Sequence, residues 1–149
     1  MLKRFIPHTH HLNSREEISQ FFKAGDFHNA FCQLKTTSYQ INEFMGDIQV
    51  GAGKMLICHR ASELLGYIHK YKFRTQYDVK TLLLGAFDAG DYHGFLKNVF
   101  RFKFYRGLDK EVENSINYLL GKGQVADAQG WRQKIDMLKE REKYSSSTL

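Results

Sequence analysis

The sequence repeats one short polar turn, and this repeat constrains the fold more than any other feature. The string FKAGDFHNAF spans residues 22 to 31, and FDAGDYHGF returns at residues 87 to 95. Glycine readily adopts the positive φ that ends many helices, and an aspartate after it accepts hydrogen bonds from the unpaired N–H groups of the next helix. The pairs Gly25-Asp26 and Gly90-Asp91 therefore each predict the end of one helix and the start of another.

A third turn, LLGKGQVADA from Leu119, fits the same register. Its Gly123 aligns with Gly25 and Gly90, and the three glycines are 65 and 33 residues apart. These distances are close to two periods and one period of about 33 residues, which is typical of solenoids built from helical hairpins. The sequence therefore predicts an all-α fold in which successive antiparallel helix hairpins bury their apolar faces against one another.

Apolar spacing and turn residues predict about seven helices with short connections. Ser14 and Glu17 have capping-box spacing and mark the first start, whereas glycine and aspartate in residues 45–53 predict a loop. The expected helices cover residues 14–24, 27–45 with a weak middle at 36–38, 54–71, 79–89, 91–105, 109–122 and 124–142. We divide the chain into a flexible segment 1–13, a single helical domain 14–144 and a disordered tail 145–149.

The string Gly-Asp-aromatic-x-x-Ala, complete at Gly25 to Ala30, resembles the middle of a tetratricopeptide repeat. The resemblance covers residues 12–38, 77–106 and 110–142, and it implies a right-handed stack of hairpins. Two alternatives stay open at this point. One is an irregular helical bundle in which Gly-Asp is simply a favourable hairpin turn, and the other is a fold that contains a small sheet.

The same resemblance implies that the first helix of each repeat lines a groove for a partner segment. The positions of this chain that match are Arg15, Ser19, Lys23, Tyr77, Lys80, Leu84, Lys110, Asn114 and Asn117. Three lysines and one arginine among them favour an acidic peptide or a C-terminal carboxylate as the ligand.

The charge and the composition favour an acidic partner without selecting its class. The chain has 22 Lys and Arg against 16 Asp and Glu, a net charge of +6, which suits nucleic acid, an acidic protein surface or anionic lipid. No stretch approaches the roughly 20 apolar residues of a membrane span. Cys32 and Cys58 are too few for a disulfide framework and are typical of a reducing compartment, so we expect a cytoplasmic protein.

A basic and aromatic segment at residues 97–106 is the alternative binding surface. It carries Lys97, Arg101, Lys103, Tyr105 and Arg106 without an acid, and such cations beside stacking rings suit single-stranded nucleic acid. The alternation from Phe100 to Phe104 also allows a strand with one basic face. We favour a packed helix, in which Phe95, Val99 and Phe102 face the core and the long basic side chains cover its edge.

The sequence offers no pattern that carries catalysis, a metal or a cofactor. The glycines around Lys54 lack the spacing of a phosphate-binding loop, and Met55 stands where that motif needs a hydroxyl. Cys58 and His59 are neighbours whose side chains diverge on a helix, so they are poor joint metal ligands. Cys32 is expected on an apolar helix face with no paired base. We therefore expect no catalytic residues, no metal and no cofactor.

These observations favour a non-enzymatic helical adaptor or chaperone that binds a protein or peptide partner in its groove. A nucleic-acid-binding regulator that uses residues 97–106 is the first alternative, and a small pathogen- or phage-encoded protein inhibitor is the second. The sequence leaves the oligomeric state open, and a homodimer is compatible with it.

Overall fold

A computed structural model describes residues 13–147 of the chain and the side chains of residues 13–143. The described part is all-α and contains no strand, which confirms the predicted fold class. Its eight α-helices and one 3₁₀ helix are α1 (Ser14–Lys23), α2 (Phe27–Leu34), the 3₁₀ helix (Ile41–Phe44), α3 (Met45–Ile57), α4 (Ala61–Tyr71), α5 (Val79–Asp88), α6 (Tyr92–Phe102), α7 (Asp109–Gly121) and α8 (Val125–Ser147).

The three aligned turns share one backbone geometry, and the predicted helix ends at their glycines are confirmed. Gly25, Gly90 and Gly123 have φ of 78°, 80° and 79°. In each turn the glycine N–H and the next N–H bond back to carbonyls of the preceding helix, as in Asp26 N–H to Phe21 O at 2.9 Å and Asp91 N–H to Ala86 O at 3.0 Å. This is the Schellman arrangement, which satisfies the last carbonyls of a helix.

Aspartates open the second helix of two of these hairpins, as predicted. Asp26 Oδ1 accepts from the backbone N–H of Asn29 at 3.3 Å, and Asp91 Oδ1 accepts from that of Gly94 at 3.0 Å. At α1 the cap is Asn13, whose Oδ1 accepts from Glu16 N–H at 2.7 Å, and Ser14 is already helical. The predicted capping box at Ser14 is therefore one residue late.

The predicted loop at residues 45–53 is wrong, because this segment forms most of α3. Gly51 explains the difference. A Cβ atom at Gly51 would lie 1.8 Å from the carbonyl oxygen of Phe22, so α1 and α3 touch backbone to backbone there. Gly51 was a reason to predict a loop, but the close packing of α3 on α1 requires a glycine at this position. The burial of Ile48, Ala52 and Met55 supplies the apolar face of this helix.

The predicted third helix is two helices, and the last helix is longer than predicted. Residues 54–71 break between α3 and α4, where His59 adopts a φ of 61°. This break and the helix at residues 45–53 raise the number of α-helices from seven to eight. At the other end, α8 continues to Ser147 through part of the segment expected to be a disordered tail, because neither glycine nor proline follows Gly130. Residues 1–12, 148 and 149 lie outside the described residues.

The predicted helical domain contains two compact units. The first unit comprises α1, α2, the 3₁₀ helix, α3 and the later segment 72–76. Its core is a cluster of phenylalanines. Phe22 packs edge to face on Phe27 at 5.3 Å and on Phe31 at 5.0 Å between ring centroids, and Phe73 from the later segment lies 5.8 Å from Phe31. Edge-to-face pairs of this kind stabilise beyond their buried area.

The segment 72–76 is fastened to α3 by one glutamine. The Gln49 side chain donates to the carbonyl of Arg74 at 3.2 Å and accepts from the backbone N–H of Gln76 at 2.5 Å. The Gln76 side chain in turn donates to the Gln49 carbonyl at 2.9 Å. The first unit is therefore completed by residues that follow α4 in the sequence.

The second unit comprises α4 to α8. Its core contains Leu64, Leu65, Leu82, Leu83, Phe95, Leu96, Val99, Val112, Ile116, Leu119, Ala128 and Ile135. Phe87 and Tyr92 repeat across their turn the edge-to-face contact of Phe22 and Phe27, with centroids 5.4 Å apart. Contacts between α4 and α6 and between α6 and α7 place α6 in the middle of this unit.

Candidate anion-binding cleft

A polar cleft lies between α4 and α6 in the second unit. Its volume is about 430 Å³, within the range of about 300 to 1,000 Å³ that ligand sites occupy. The lining residues are Ser62, Glu63, Gly66, His69 and Lys70 on α4, and Gly94, Lys97, Asn98 and Arg101 on α6. Two neighbouring helices therefore face each other across this space with mostly polar side chains.

The two helices are in close contact at Ser62 and Gly94. A Cβ atom at Gly94 would lie 2.4 Å from Ser62 Oγ and 2.3 Å from a carboxylate oxygen of Asp91. Only glycine permits this approach, so Gly94 sets how closely α4 and α6 pack. The Ser62 hydroxyl is buried and has no hydrogen-bond partner among the described residues.

A buried asparagine holds the arginine of the cleft in place. Asn98 is only 2% exposed, and its Nδ2 donates to the carbonyl of Gly94 at 2.9 Å. Arg101 Nη1 donates to Asn98 Oδ1 at 3.2 Å. A Cβ at Gly66 would lie 3.4 Å from the same Nη1 atom, so the guanidinium reaches across to α4. The hydrogen bond to Asn98 therefore positions the Arg101 guanidinium at the cleft.

The cleft carries positive charge that the protein does not neutralise. Lys70, Lys97 and Arg101 make no salt bridge with any carboxylate of the described residues. Glu63, the single acid of the lining, forms a bidentate pair with Arg60 at 3.0 and 2.7 Å. The exposed His69 packs its ring against Phe102 at 5.6 Å. Three uncompensated cations in one cleft favour an anionic ligand.

The structure places three of the nine predicted groove residues in a different cleft. Arg15, Ser19 and Lys23 line a space of about 290 Å³ in the first unit. Here each cation already has an acid: Arg15 lies 2.5 Å from Glu43, and Lys23 lies 3.7 Å from Asp47. The hydrogen bonds to Gln40 N–H and Arg15 lower the pKa of Glu43. This cleft therefore has little net attraction for an acidic segment.

The other six predicted groove residues lie in the second unit at or near α5 and on α7. Tyr77 precedes α5, Lys80 and Leu84 belong to it, and Lys80 Nζ lies 3.2 Å from the place of a Cβ at Gly107. Lys110, Asn114 and Asn117 are exposed on α7. None of these six residues is among those that line the cleft of α4 and α6.

The predicted basic segment divides between two surroundings. Lys97 and Arg101 line the cleft, whereas Lys103 ends α6 with a φ of 53°. Arg106 forms a salt bridge with Glu142 of α8. Lys139 lies 5.6 Å from the centroid of the Tyr105 ring, and burial and the nearby Glu142 raise the pKa of Tyr105. Tyr105 and Arg106 are therefore engaged with α8 rather than with the cleft.

The strand alternative for this segment is wrong, because α6 continues to Phe102. The packed-helix interpretation is confirmed for Phe95 and Val99, which are fully buried, while Phe102 is half-buried.

The expectation for Cys32 needs correction. Its side chain is exposed, and His28 Nε2 lies 3.8 Å from its Sγ, one helical turn away. The apolar face of α2 instead holds Phe27, Ala30, Phe31 and Leu34. Within the described residues, no three side chains of His, Cys, Asp or Glu converge on a place for a metal ion.

Seven of the nine residues that line the cleft were not predicted from the sequence: Ser62, Glu63, Gly66, His69, Lys70, Gly94 and Asn98. The signal was present in the glycines. Gly66 and Gly94 each lie inside a helix, where glycine lowers helix stability by about 1 kcal/mol relative to alanine. A glycine at such a position therefore suggests that another group packs closely against it. Asn98, four residues after Gly94 and three before Arg101, was the second signal, because a buried polar side chain needs partners.

Comparison with protein-family models, with curated proteins and with solved structures gives no match to this chain. Between residues 13 and 147, none of the helices combines the length and the apolar character needed to cross a bilayer.

Proposed function

We propose that this chain is a non-enzymatic helical adaptor or chaperone that binds an acidic segment of a partner protein in the cleft of α4 and α6. The observation that carries the proposal is the set of three cations, Lys70, Lys97 and Arg101, that share this cleft without an acidic partner. Unpaired cations gain more from an incoming carboxylate than cations that must first leave an existing partner.

This binding site differs from the groove that the tetratricopeptide resemblance implied. Arg15 and Lys23 of that groove already pair with Glu43 and Asp47, so an incoming carboxylate would have to displace an internal one. The three Schellman turns support a fold assembled from helical hairpins, and the resemblance supplies the idea that such hairpins present a binding surface. Any contribution of the nine groove positions to binding is a prediction.

A binding role suits the chemistry of the lining. Lysine and arginine side chains donate hydrogen bonds and attract anions. We place this activity in the cytoplasm, where a reducing environment would keep the free thiols of Cys32 and Cys58 intact.

A fluorescence anisotropy titration with a labelled peptide of alternating Glu and Ser tests the proposal. We expect saturable binding that weakens about 10-fold when Lys70 and Lys97 are both changed to Gln. Lys35→Gln combined with Lys143→Gln, which removes two exposed cations outside the cleft, is the matched control and should leave the affinity unchanged. Equal losses in both variants would mean that only net charge matters, and the proposal would then be wrong.

A labelled single-stranded oligonucleotide provides the competing arm. If the chain is a nucleic-acid-binding regulator, the oligonucleotide binds more tightly than the peptide, with a steep salt dependence. Lys103→Gln would then weaken binding as strongly as Lys97→Gln, because phosphates along a strand contact the whole basic segment. That result would replace the proposed function with the nucleic-acid alternative.

A further inference from the structure

We infer that the group recognised in this cleft is a phosphoryl dianion on a serine or threonine of the partner segment. The inference rests on the proposed function and concerns the same cleft, but it specifies the ligand chemistry. Four observations carry it: the number of unpaired cations, the hydrogen bond that positions Arg101, the volume of the cleft and the buried Ser62 hydroxyl, which has no hydrogen-bond partner among the described residues.

The charge of the cleft matches a dianion better than a single carboxylate. Lys70, Lys97 and Arg101 contribute three positive charges, and the single acid of the lining, Glu63, is already paired with Arg60. One carboxylate would leave two cations facing each other without compensation. A phosphorylated side chain carries a charge of about −1.5 to −2 at neutral pH and three acceptor oxygens, so it neutralises more of the cleft.

Arg101 has the geometry that phosphate recognition uses. A guanidinium binds phosphate oxygens with two parallel N–H groups, and its strength depends on how well its plane is fixed. Nη1 of Arg101 is held by the buried Asn98, and Asn98 is held by the carbonyl of Gly94. The second terminal nitrogen, Nη2, makes no hydrogen bond with the described residues. Nη1 of Arg101 is therefore held by Asn98, and Nη2 is available to bind a phosphate oxygen.

The helix backbones leave room for a group larger than a carboxylate. The cleft has a volume of about 430 Å³, and Gly66 on α4 presents no side chain to it. A Cβ atom at Gly66 would make van der Waals contact with Arg101 Nη1 at 3.4 Å, so a larger side chain there would occupy part of this space. Beside Gly94, the buried Ser62 hydroxyl has no hydrogen-bond partner within residues 13–143. A buried hydroxyl without a hydrogen bond is costly, and rotation about its χ1 would let it donate to a bound oxyanion.

A titration with inorganic phosphate tests the site without assuming a partner. In ¹⁵N–¹H correlation spectra of the full chain, we expect saturable shifts of amides in residues 62–70 and 94–101, and smaller shifts with acetate at equal ionic strength. Lys70→Gln with Lys97→Gln should weaken the phosphate affinity about 10-fold, whereas the control that removes two cations outside the cleft, Lys35→Gln with Lys143→Gln, should not. Shifts that acetate reproduces in full, or that spread evenly over the basic surface, would overturn the inference.

A set of three peptides separates this inference from the proposed function. The peptides share one sequence and differ at one position, which is serine, glutamate or phosphoserine. We expect the phosphoserine peptide to bind at least about 10-fold more tightly than the glutamate peptide, and the serine peptide to bind weakest. Equal affinities for glutamate and phosphoserine contradict the inference and leave the proposed function intact. Phosphate binding to the cleft with no binding of any peptide contradicts the proposed function instead.

Discussion

Gly51 of α3 lies against the carbonyl oxygen of Phe22, so closely that a Cβ atom at Gly51 would be 1.8 Å from it. The same Cβ would lie 2.7 Å from the ring of Phe27. Phe22 and Phe27 are both fully buried in the phenylalanine cluster, so neither side can yield without disturbing the core of the first unit.

We therefore expect Gly51→Ala to lower the free energy of unfolding by about 3 kcal/mol, the upper end of the usual cost of overpacking. Urea denaturation followed by circular dichroism measures it. Gly46→Ala is the matched control in the same helix, because a Cβ at Gly46 meets nothing within 4 Å. It should stabilise the protein by about 0.5 kcal/mol through the lower entropy of the unfolded chain. Equal effects of the two changes would contradict the close contact.

The Schellman turn at Gly90 gives a second prediction. Gly90 has a φ of 80° and open space around its Cα, so Gly90→Ala tests backbone strain without a steric clash. We expect a loss of about 1 kcal/mol, the cost of the left-handed conformation for a residue with a Cβ. Gly121→Ala is the control, because Gly121 also has open space but has no positive φ. Thermal unfolding that shows the two variants equally stable would mean that the turn at Gly90 is not held in this conformation.

The pair of Glu113 on α7 and Arg132 on α8 predicts a pH dependence. Two hydrogen bonds at 2.7 and 3.3 Å join them, and the hydrogen bond from Arg132 lowers the pKa of Glu113 from its ordinary value of 4.5. A lowered folded-state pKa means that the stabilisation is present above pH 4.5 and is lost as the pH falls through the lowered value. Both side chains are about half exposed, so the effect on Tm is small.

Glu113→Gln should therefore lower Tm slightly at pH 7, and this loss of Tm should be smaller at pH 2.5, because the carboxyl takes up its proton as the pH falls through its lowered pKa. Differential scanning calorimetry at the two pH values measures the difference. A Tm loss of the same size at both values would show that Glu113 acts through packing and not through its charge.

Asn98 is predicted to act as a positioning residue for Arg101. Asn98→Leu keeps the branched shape of the side chain and removes both hydrogen bonds, so we expect the free energy of unfolding to fall by about 1 to 3 kcal/mol. Phosphate affinity should fall about 5-fold, because the guanidinium loses its fixed plane. Asn114→Leu, on the exposed face of α7, is the control. Unchanged phosphate affinity in Asn98→Leu would show that Arg101 does not need this support.

The boundaries at glycine and aspartate could be predicted from the sequence, because the residues that end and cap a helix act locally. Gly25, Gly90, Asp26 and Asp91 occupy the positions that their chemistry demands. Gly51 could not be assigned in the same way. Its role depends on a carbonyl 29 residues earlier in the chain, and local composition around it favours a loop.

The sequence indicated two of the nine residues that line the cleft. Lys97 and Arg101 lie in a conspicuous run of cations and rings, and both were selected for that reason. Lys70 lies 27 residues earlier than Lys97, on a helix whose contact with α6 is set by Ser62 and Gly94. The salt bridges of the first unit could not be predicted from the sequence either. Folding alone brings Glu43 to Arg15 and Asp47 to Lys23.

Phe73 and Gln76 belong to the first unit but follow α4 in the sequence. This order affects folding during synthesis and the choice of fragments for expression. A nascent polypeptide synthesised only as far as Cys58 lacks Phe73, which packs on the phenylalanine cluster, and Gln76, which is hydrogen-bonded to Gln49. A truncated product ending there would expose Phe27 and Phe31 to solvent on the side that Phe73 covers. Dissection of this protein into fragments must therefore keep everything up to residue 76 together, including α4, although α4 belongs to the other unit.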